Sequence, residues 1–391
     1  MTWNTVLRNM RENKQRKRFI KPALSISWLI SVMLISALLL SGCGGQNKIS
    51  GSKSAQGPAE DTGKISIVTT IFPPYDFVRE IAGDHVELKM LLKPGEESHS
   101  YEPTPQDMIA IQKSDVFIYT GGENDVWVEA VLSSMPDSDR LTLKLVDCVD
   151  TVEEEHVEGM KESPGHTHAD HAGEEHTVEE HTDEGHTDED HADEEHGHED
   201  HAGESELEAH SVHEIDEHVW TSPVNAALIV EQIKEVLVEA DPSNRASYEK
   251  NAAAYEEALS ELDQEFRNVT EHAERSMLIF GDRFPFRYFA DEYGLDYYAA
   301  FPGCAGDTEP SAATMAFLID KVKEEKVPAV LKMELSNADI ANAIAEATGT
   351  EVRVFYSCHN LSAEDFENGE TYLSMMQKNV ETLKEVLNGW R

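Results

Sequence analysis

Basic side chains are scarce in this chain of 391 residues. It has 32 lysines and arginines against 76 aspartates and glutamates, and its formal net charge is −44. Such an excess of negative charge argues against nucleic acid and against anionic lipid surfaces as partners. Of this charge, −25 falls between Glu153 and Glu217. The remaining −19 is ordinary for a protein outside the cytoplasm.

Large apolar side chains are absent between Val178 and Leu207. This stretch belongs to a segment, 156–213, in which 13 histidines stand among Asp and Glu, and from His171 to His201 seven of them recur every five residues. Histidines spaced five residues apart do not line up on one face of a helix, and on a strand they alternate between the two faces. We therefore expect a disordered, solvated loop that collects divalent metal ions. The alternative is a polyanionic spacer, but acidic residues alone would serve that purpose.

The chain begins with a basic region, followed by an apolar run from Trp28 to Leu40 and then Ser-Gly-Cys43. This order predicts a signal peptide over 1–42. Its end resembles a bacterial lipobox, which implies cleavage before Cys43 and acylation of that cysteine. The alternative is an uncleaved membrane anchor, for which the apolar run is short. We expect a protein held outside the cytoplasmic membrane by its acyl chains, with a flexible tether over 43–63.

Three further cysteines remain, and we expect them in an oxidising compartment. The simplest assignment of three cysteines is one disulfide and one free thiol. Cys304 and Cys358 lie in the same half of the chain, so we predict a disulfide between them. Cys148 would then be a buried thiol.

Short β-branched runs alternate with helical patterns on both sides of the histidine-rich segment. The predicted strands before it lie at 64–71, 86–92, 116–119 and 141–146. Those after it lie at 277–280, 295–300, 329–333 and 352–356. Strands that alternate with helices predict parallel sheets with helices on both faces. We therefore expect an α/β fold of two lobes, each with a mainly parallel sheet.

A long helical pattern without Gly or Pro covers 243–274. A helix of ~30 residues spans ~45 Å, too long for one crossover in a small domain, and we interpret it as a rigid helix that joins the lobes. We expect an N-terminal lobe over 64–152 and 218–242, with the histidine-rich loop inserted over 153–217. The C-terminal lobe would cover 275–391.

Four polar residues fall at or near the ends of predicted elements where ligands gather in open α/β sheets. They are His99, His218, Asp282 and His359. Each alone is more often an unremarkable residue. Together, beside a histidine-rich metal collector, they favour one metal site. Imidazole nitrogens with one or two oxygens suit zinc, whereas manganese prefers more carboxylate and water.

Two of these histidines stand in longer motifs. The stretch 95–103 around His99 and the D-x-H-x-W-x-S-P pattern of 216–223 around His218 resemble the first two ligand motifs of the metal-binding lipoproteins of bacterial zinc and manganese ABC transporters. The likeness covers about 64–391, and a His/Asp-rich insertion before the second motif is typical of the zinc-preferring branch. The resemblance implies two α/β lobes, a rigid linking helix and zinc held as cargo in the cleft. It also implies delivery to a membrane permease powered by a cytoplasmic ATPase.

The chain departs from that family at the other two ligands. The family has a third histidine near 281–288, where this chain has Asp282 and Arg283, and a guanidinium cannot ligate a cation. The family also has a carboxylate near 356–357, where neither residue of this chain is acidic. We predict that Asp282 and His359 fill these places. A salt bridge from Asp282 to a nearby arginine is the alternative.

Binding is a stronger prediction than catalysis. The H-E-x-x-H and G-x-S-x-G motifs are missing. Glu96, Glu97 or Glu217 could still act as a general base beside a bound zinc, so a zinc hydrolase remains one alternative. The other is a surface metal buffer or adhesin whose function lies in the histidine-rich loop. The leading hypothesis is a monomeric, lipid-anchored zinc receptor of an importer.

Overall fold

The structure is a computed structural model, and it describes residues 63–97, 101–122, 125–135, 139–160, 215–305 and 309–389. The predicted signal peptide, Cys43, the tether, His99 and most of the histidine-rich segment lie outside these residues. Among the helices in the described ranges, none combines the length and apolar character needed to cross a membrane.

The first half of the chain forms a parallel sheet with the strand order β2-β1-β3-β4. Its strands are β1 (Ile65–Thr69), β2 (Val86–Met90), β3 (Val116–Tyr119) and β4 (Leu141–Lys144). The helices between them are α1 (Phe72–Ala82), α2 (Pro105–Lys113) and α3 (Val126–Ser134). Thr104 caps α2, since its side chain accepts from the Asp107 N–H and the Asp107 carboxylate accepts from the Thr104 N–H.

Two helices lead from the first sheet to the second. Ser222 caps α4 (Pro223–Ala240), with Pro223 in the first turn, where its missing N–H costs nothing. The helix α5 (Arg245–Glu271) follows, and its 27 residues span ~40 Å. It packs against α1 and α4 on one side of the molecule and against the C-terminal helix on the other.

The second half repeats the topology of the first. Its parallel sheet has the order β6-β5-β7-β8. The strands are β5 (Met277–Phe284), β6 (Asp296–Pro302), β7 (Ala329–Lys332) and β8 (Glu351–Val354). The helices are α6 (Arg287–Tyr293), α7 (Ala312–Glu325), α8 (Asp339–Thr348), α9 (Ala363–Glu367) and α10 (Tyr372–Asn388). The predicted α/β class with two parallel sheets is confirmed.

The two lobes share one apolar core. A continuous cluster of buried side chains includes Phe72, Trp220, Phe286 and Tyr372. Trp220 donates from Nε1 to the backbone carbonyl of Ser357 at 2.9 Å, and the Tyr372 hydroxyl donates to the backbone carbonyl of Trp220 at 2.7 Å. These bonds fix the motif around residue 218 against the loop that follows β8.

Some boundaries differ from the prediction. The first strand ends at Thr69 rather than at residue 71, and α1 begins at Phe72 because prolines are tolerated in a first helical turn. β5 continues to Phe284 through a register irregularity after Phe280. Asp282 therefore lies within the strand and not in a loop after it.

Candidate metal centre

A small cleft lies between the lobes. The N-terminal lobe contributes Glu96 and Glu97 to its wall. His218, Glu334 and His359 are among the residues that complete it. Two imidazoles and three carboxylates thus face one small space, an arrangement suited to a divalent cation.

His218 is held in one orientation by its own motif. The side chain is 1% exposed. Its Nδ1 lies 3.0 Å from Oδ1 of Asp216, and the same oxygen accepts from the His218 backbone N–H at 2.8 Å. Burial alone would lower the pKa of His218, but the Asp216 carboxylate outweighs burial and raises that pKa. With the carboxylate on Nδ1, Nε2 is the atom available to a metal, which is a frequent carboxylate–histidine–metal arrangement.

His359 meets His218 in the cleft. The ring centroids lie 5.6 Å apart at an interplanar angle of 75°. Two imidazoles on one tetrahedral zinc have centroids about 5 Å apart, so the separation of the two rings is compatible with a shared ion. Asn360 anchors the segment, since its Nδ2 donates at 2.8 Å to the carbonyls of both Lys93 and Glu96. The structure therefore brings together two of the four predicted ligands.

Asp282 does not line the cleft. Its Oδ1 accepts from the Arg283 N–H at 2.8 Å, while Oδ2 accepts from the Met333 N–H at 2.8 Å and from the Ser336 hydroxyl. Arg283 pairs with Glu97 at 2.9 Å, and not with Asp282 as the alternative prediction had it. Asp282 fixes the backbone of 333–336 because it lies within β5, where the turn after β7 can reach it.

Glu334 is a site residue that the sequence analysis missed. It follows β7 and accepts from the Ser357 N–H at 2.8 Å and from the Ser357 hydroxyl at 2.9 Å. Burial raises the pKa of Glu334 to about 7. Its position at the carboxyl end of a strand was the available signal, the same signal that identified His359.

The predicted disulfide between Cys304 and Cys358 is not formed in the structure. Cys358 is fully buried after β8, at φ +58°, and its Sγ lies 3.9 Å from the Tyr356 carbonyl. Cys304 follows β6, and its N–H donates to Glu154 at 2.8 Å. The prediction of a disulfide is therefore wrong. Cys358 is buried after β8, whereas Cys304 lies after β6 beside Glu154. Cys148 is buried.

Cys304 instead lies beside the histidine motif. A carboxylate oxygen of Glu217, a ring nitrogen of His218 and the sulfur of Cys304 all lie within 4.8 Å of one another. Glu217 and His218 are each 1% exposed, and Cys304 is partly exposed. The sequence did not indicate that Cys304 lies beside Glu217 and His218, because Cys304 was assigned to a disulfide.

The chain resembles known proteins along most of its length. A family model described as ZnuA, zinc-uptake complex component A periplasmic, matches residues 67–386. One relative is the zinc-binding lipoprotein AdcA of Streptococcus pneumoniae, 32% identical over 358 residues that make up 91% of this chain and 60% of that protein. Another is the high-affinity zinc uptake system protein ZnuA of Bacillus subtilis, 30% identical over 354 residues, or 90% of this chain and 94% of that protein.

A solved structure shares the fold. The Zn(II)-bound ZnuA-like domain of Streptococcus pneumoniae AdcA aligns with a TM-score of 0.60 and 28% identity, covering 83% of this chain and 100% of that one. The chain spans about 60% of the length of the pneumococcal AdcA proteins it matches. The Bacillus relative is matched over nearly its full length.

Proposed function

Because this chain belongs to the ZnuA family, the periplasmic component A of zinc-uptake complexes, we propose that it captures Zn²⁺ in the cleft between its lobes and delivers it to an ABC importer. The ion is cargo and not a catalytic cofactor. The relatives described above are zinc-binding and zinc-uptake proteins, and not enzymes. A tethered receptor is therefore favoured over the hydrolase considered from the sequence.

The meeting of His218 and His359 is the observation that carries the proposal. Their rings lie 5.6 Å apart, and Asp216 holds His218 with Nε2 directed away from the hydrogen bond. Imidazole pairs of this kind bind zinc more strongly than manganese. Because His218 is buried and already oriented, it also loses little conformational entropy when the ion binds.

Two further residues are proposed to contribute to the capture site. His99 is one, by its motif; its chain neighbours Glu97 and Tyr101 each line a cavity that His359 also lines. Glu334 is the other, as the carboxylate on the wall of the cleft beside Ser357. Asp282 is excluded from the capture site, because its two carboxylate oxygens already accept three hydrogen bonds.

Delivery and location follow from the sequence motifs. We propose that acylated Cys43 anchors a monomer to the outer side of the membrane, where it docks on a permease driven by a cytoplasmic ATPase. The histidine-rich segment would bind further ions weakly and raise their concentration near the cleft. This role is separate from capture and is tested separately.

The test is a zinc titration of the mature protein in competition with a chromophoric chelator. We expect one tight site in the wild type, with several weak ones. The His218→Ala, His359→Ala double variant should lose the tight site, and His99→Ala should weaken it. Glu129→Gln, on an exposed face of α3, is the matched surface control and should bind zinc as the wild type does.

Deletion of 161–213 separates the cleft from the histidine-rich segment. The deletion should remove the weak sites and leave the tight one unchanged. Loss of the tight site on deletion would contradict the proposal and support a metal buffer instead. Growth of a deletion strain under zinc starvation adds a test of import, since only a transport component should be required there.

A further inference from the structure

Cys304 approaches the histidine motif from the C-terminal lobe. The chain leaves β6 at Pro302 and passes so close to His218 that a Cβ placed on Gly303 would lie 3.3 Å from Cε1 of that ring and 3.0 Å from the carbonyl of Phe284. The close passage puts residue 304 next to the Cε1 edge of the ring, which lies between Nδ1 and Nε2. The N–H of Cys304 donates to Glu154 at 2.8 Å, which fixes the backbone there.

Three chemically different donors converge at this point. The sulfur of Cys304, a ring nitrogen of His218 and a carboxylate oxygen of Glu217 lie within 4.8 Å of one another. Donor atoms of a tetrahedral zinc site are about 3.3–3.7 Å apart. A movement of about 1 Å by each side chain would therefore close the group on one ion.

The charges of the group suit a dication. Glu217 is 1% exposed, and a Cβ on Gly122 would lie 2.5 Å from its Oε2, so this carboxylate is tightly enclosed. Burial of a doubly charged ion is costly unless opposite charges accompany it. One thiolate and one carboxylate would neutralise Zn²⁺, with neutral His218 as the third donor.

We propose that Cys304 ligates the captured metal ion through its thiolate, beside His218, with Glu217 as the balancing carboxylate. The assignment rests on the proposed function, because His218 belongs both to the wall of the cleft and to this group of donors. Binding forms a metal–sulfur bond and releases the thiol proton to solvent. A thiolate makes the site softer and favours zinc and cadmium over manganese and magnesium.

Cobalt(II) added to the apo protein reports the sulfur ligand directly. At one equivalent we expect visible bands of tetrahedral intensity together with a sulfur-to-cobalt charge-transfer band in the near ultraviolet. The histidine-rich segment contains no cysteine, so ions held there cannot produce that band. Cys304→Ser should lose the charge-transfer band and weaken zinc binding by roughly 100-fold, at least as much as the loss of an outer-shell partner.

Cys148→Ala is the matched control, because Cys148 is a buried cysteine near the end of the first sheet and does not belong to the group of Glu217, His218 and Cys304. It should keep both the band and the affinity. If Cys304→Ser does not fold, alkylation of the wild-type protein tests whether Cys304 binds the metal ion. Zinc should protect the peptide that contains Cys304 from iodoacetamide, as read by mass spectrometry, and removal of zinc should expose it.

The outcomes separate this inference from the proposed function. One tight zinc site without the charge-transfer band, and with full affinity in Cys304→Ser, would overturn the thiolate ligand and leave the receptor function intact. Absence of any tight zinc site in the wild type would overturn the receptor function itself. Equal alkylation of Cys304 with and without bound zinc would also refute the assignment.

Discussion

Oδ1 of Asp216 accepts from the backbone N–H of His218 and also lies 3.0 Å from Nδ1 of its ring. One carboxylate oxygen thus holds both the backbone and the side chain of this residue. A short helical turn follows these two contacts directly, and it places Trp220 in the core. The orientation of His218 is therefore set by contacts within its own motif.

Replacing Asp216 by asparagine should weaken zinc binding roughly 10–100-fold, the usual cost of removing a carboxylate that orients a metal-bound histidine. The pKa of His218 should also fall, because the carboxylate that raises it is lost. Protons compete with the metal below that pKa, so the decline of affinity on acidification should begin at a lower pH in the variant. Competition titrations between pH 5 and 8 measure both effects.

Asp84→Asn, an exposed carboxylate between α1 and β2, is the control for the loss of one negative charge. Its affinity and pH profile should match those of the wild type. An Asp216→Asn protein with unchanged affinity and pH profile would show that Asp216 does not orient the ligand.

Asn360 bridges the lobes at the mouth of the cleft. Its Nδ2 donates to two carbonyls of the loop that precedes His99, and the Gly95 N–H donates to the Leu361 carbonyl at 2.8 Å. We expect Asn360→Ala to destabilise the protein by about 1–3 kcal/mol, since two hydrogen bonds are lost, each with a net contribution of about 0.5–1.5 kcal/mol. Zinc should also dissociate faster, because the loop is no longer tied to 359–361. Urea unfolding and stopped-flow release to a chelator test these two effects.

Asn342→Ala is a matched change on the exposed face of α8 and should alter neither quantity by much. Equal zinc release rates in Asn360→Ala and the wild type would contradict the proposed coupling between this asparagine and the site.

The sequence predicted the scaffold better than the site. The Thr104 and Ser222 caps are set by residues within one turn of each helix start, and such local signals can be recognised in a sequence. Asp282 was misplaced because β5 continues through polar residues and a register irregularity, which local patterns do not reveal. Cys304 was misassigned since its neighbours, Glu217 and His218, are distant in sequence.

Arg283 places a positive charge on the wall of the cleft. Its side chain is 11% exposed, and its guanidinium pairs with Glu97 at 2.9 Å. A cation entering the cleft is repelled by the guanidinium, so Arg283→Gln should raise zinc affinity by roughly 10-fold at low ionic strength, and by less as salt screens the charge. Isothermal titration at two salt concentrations measures both the gain and its screening.

Arg287→Gln supplies the comparison, because Arg287 pairs with Asp291 and Glu155 and does not line the cleft. It should leave the affinity almost unchanged. If Arg283→Gln lowered the affinity, the ion pair with Glu97 would be a support of the binding loop and not an obstacle to the cation.

Asp76 should make the apo protein less stable as the pH rises from about 4 to about 6. It is fully buried in α1, and burial raises its pKa from the ordinary value of 3.8 to about 6, although Arg79 and the Tyr372 N–H lower it. Between these two values the folded state holds a proton that the unfolded state has lost. The contribution to stability is therefore complete below pH ~4 and lost as the pH passes the folded pKa.

Asp76→Asn removes this titration, so its stability relative to the wild type should improve between pH 4 and pH 7 by on the order of 3 kcal/mol. Urea midpoints of the apo proteins at each pH give the difference. Asp241→Asn is the control: burial raises the pKa of Asp241, but hydrogen bonds from Ser243 and Asn244 outweigh it and lower that pKa to about 2. Its difference from the wild type should be nearly constant above pH ~5 and change on further acidification. A flat difference for Asp76→Asn from pH 4 to 7 would mean that this carboxylate is ionised in the core, held by Arg79 and the end of α10.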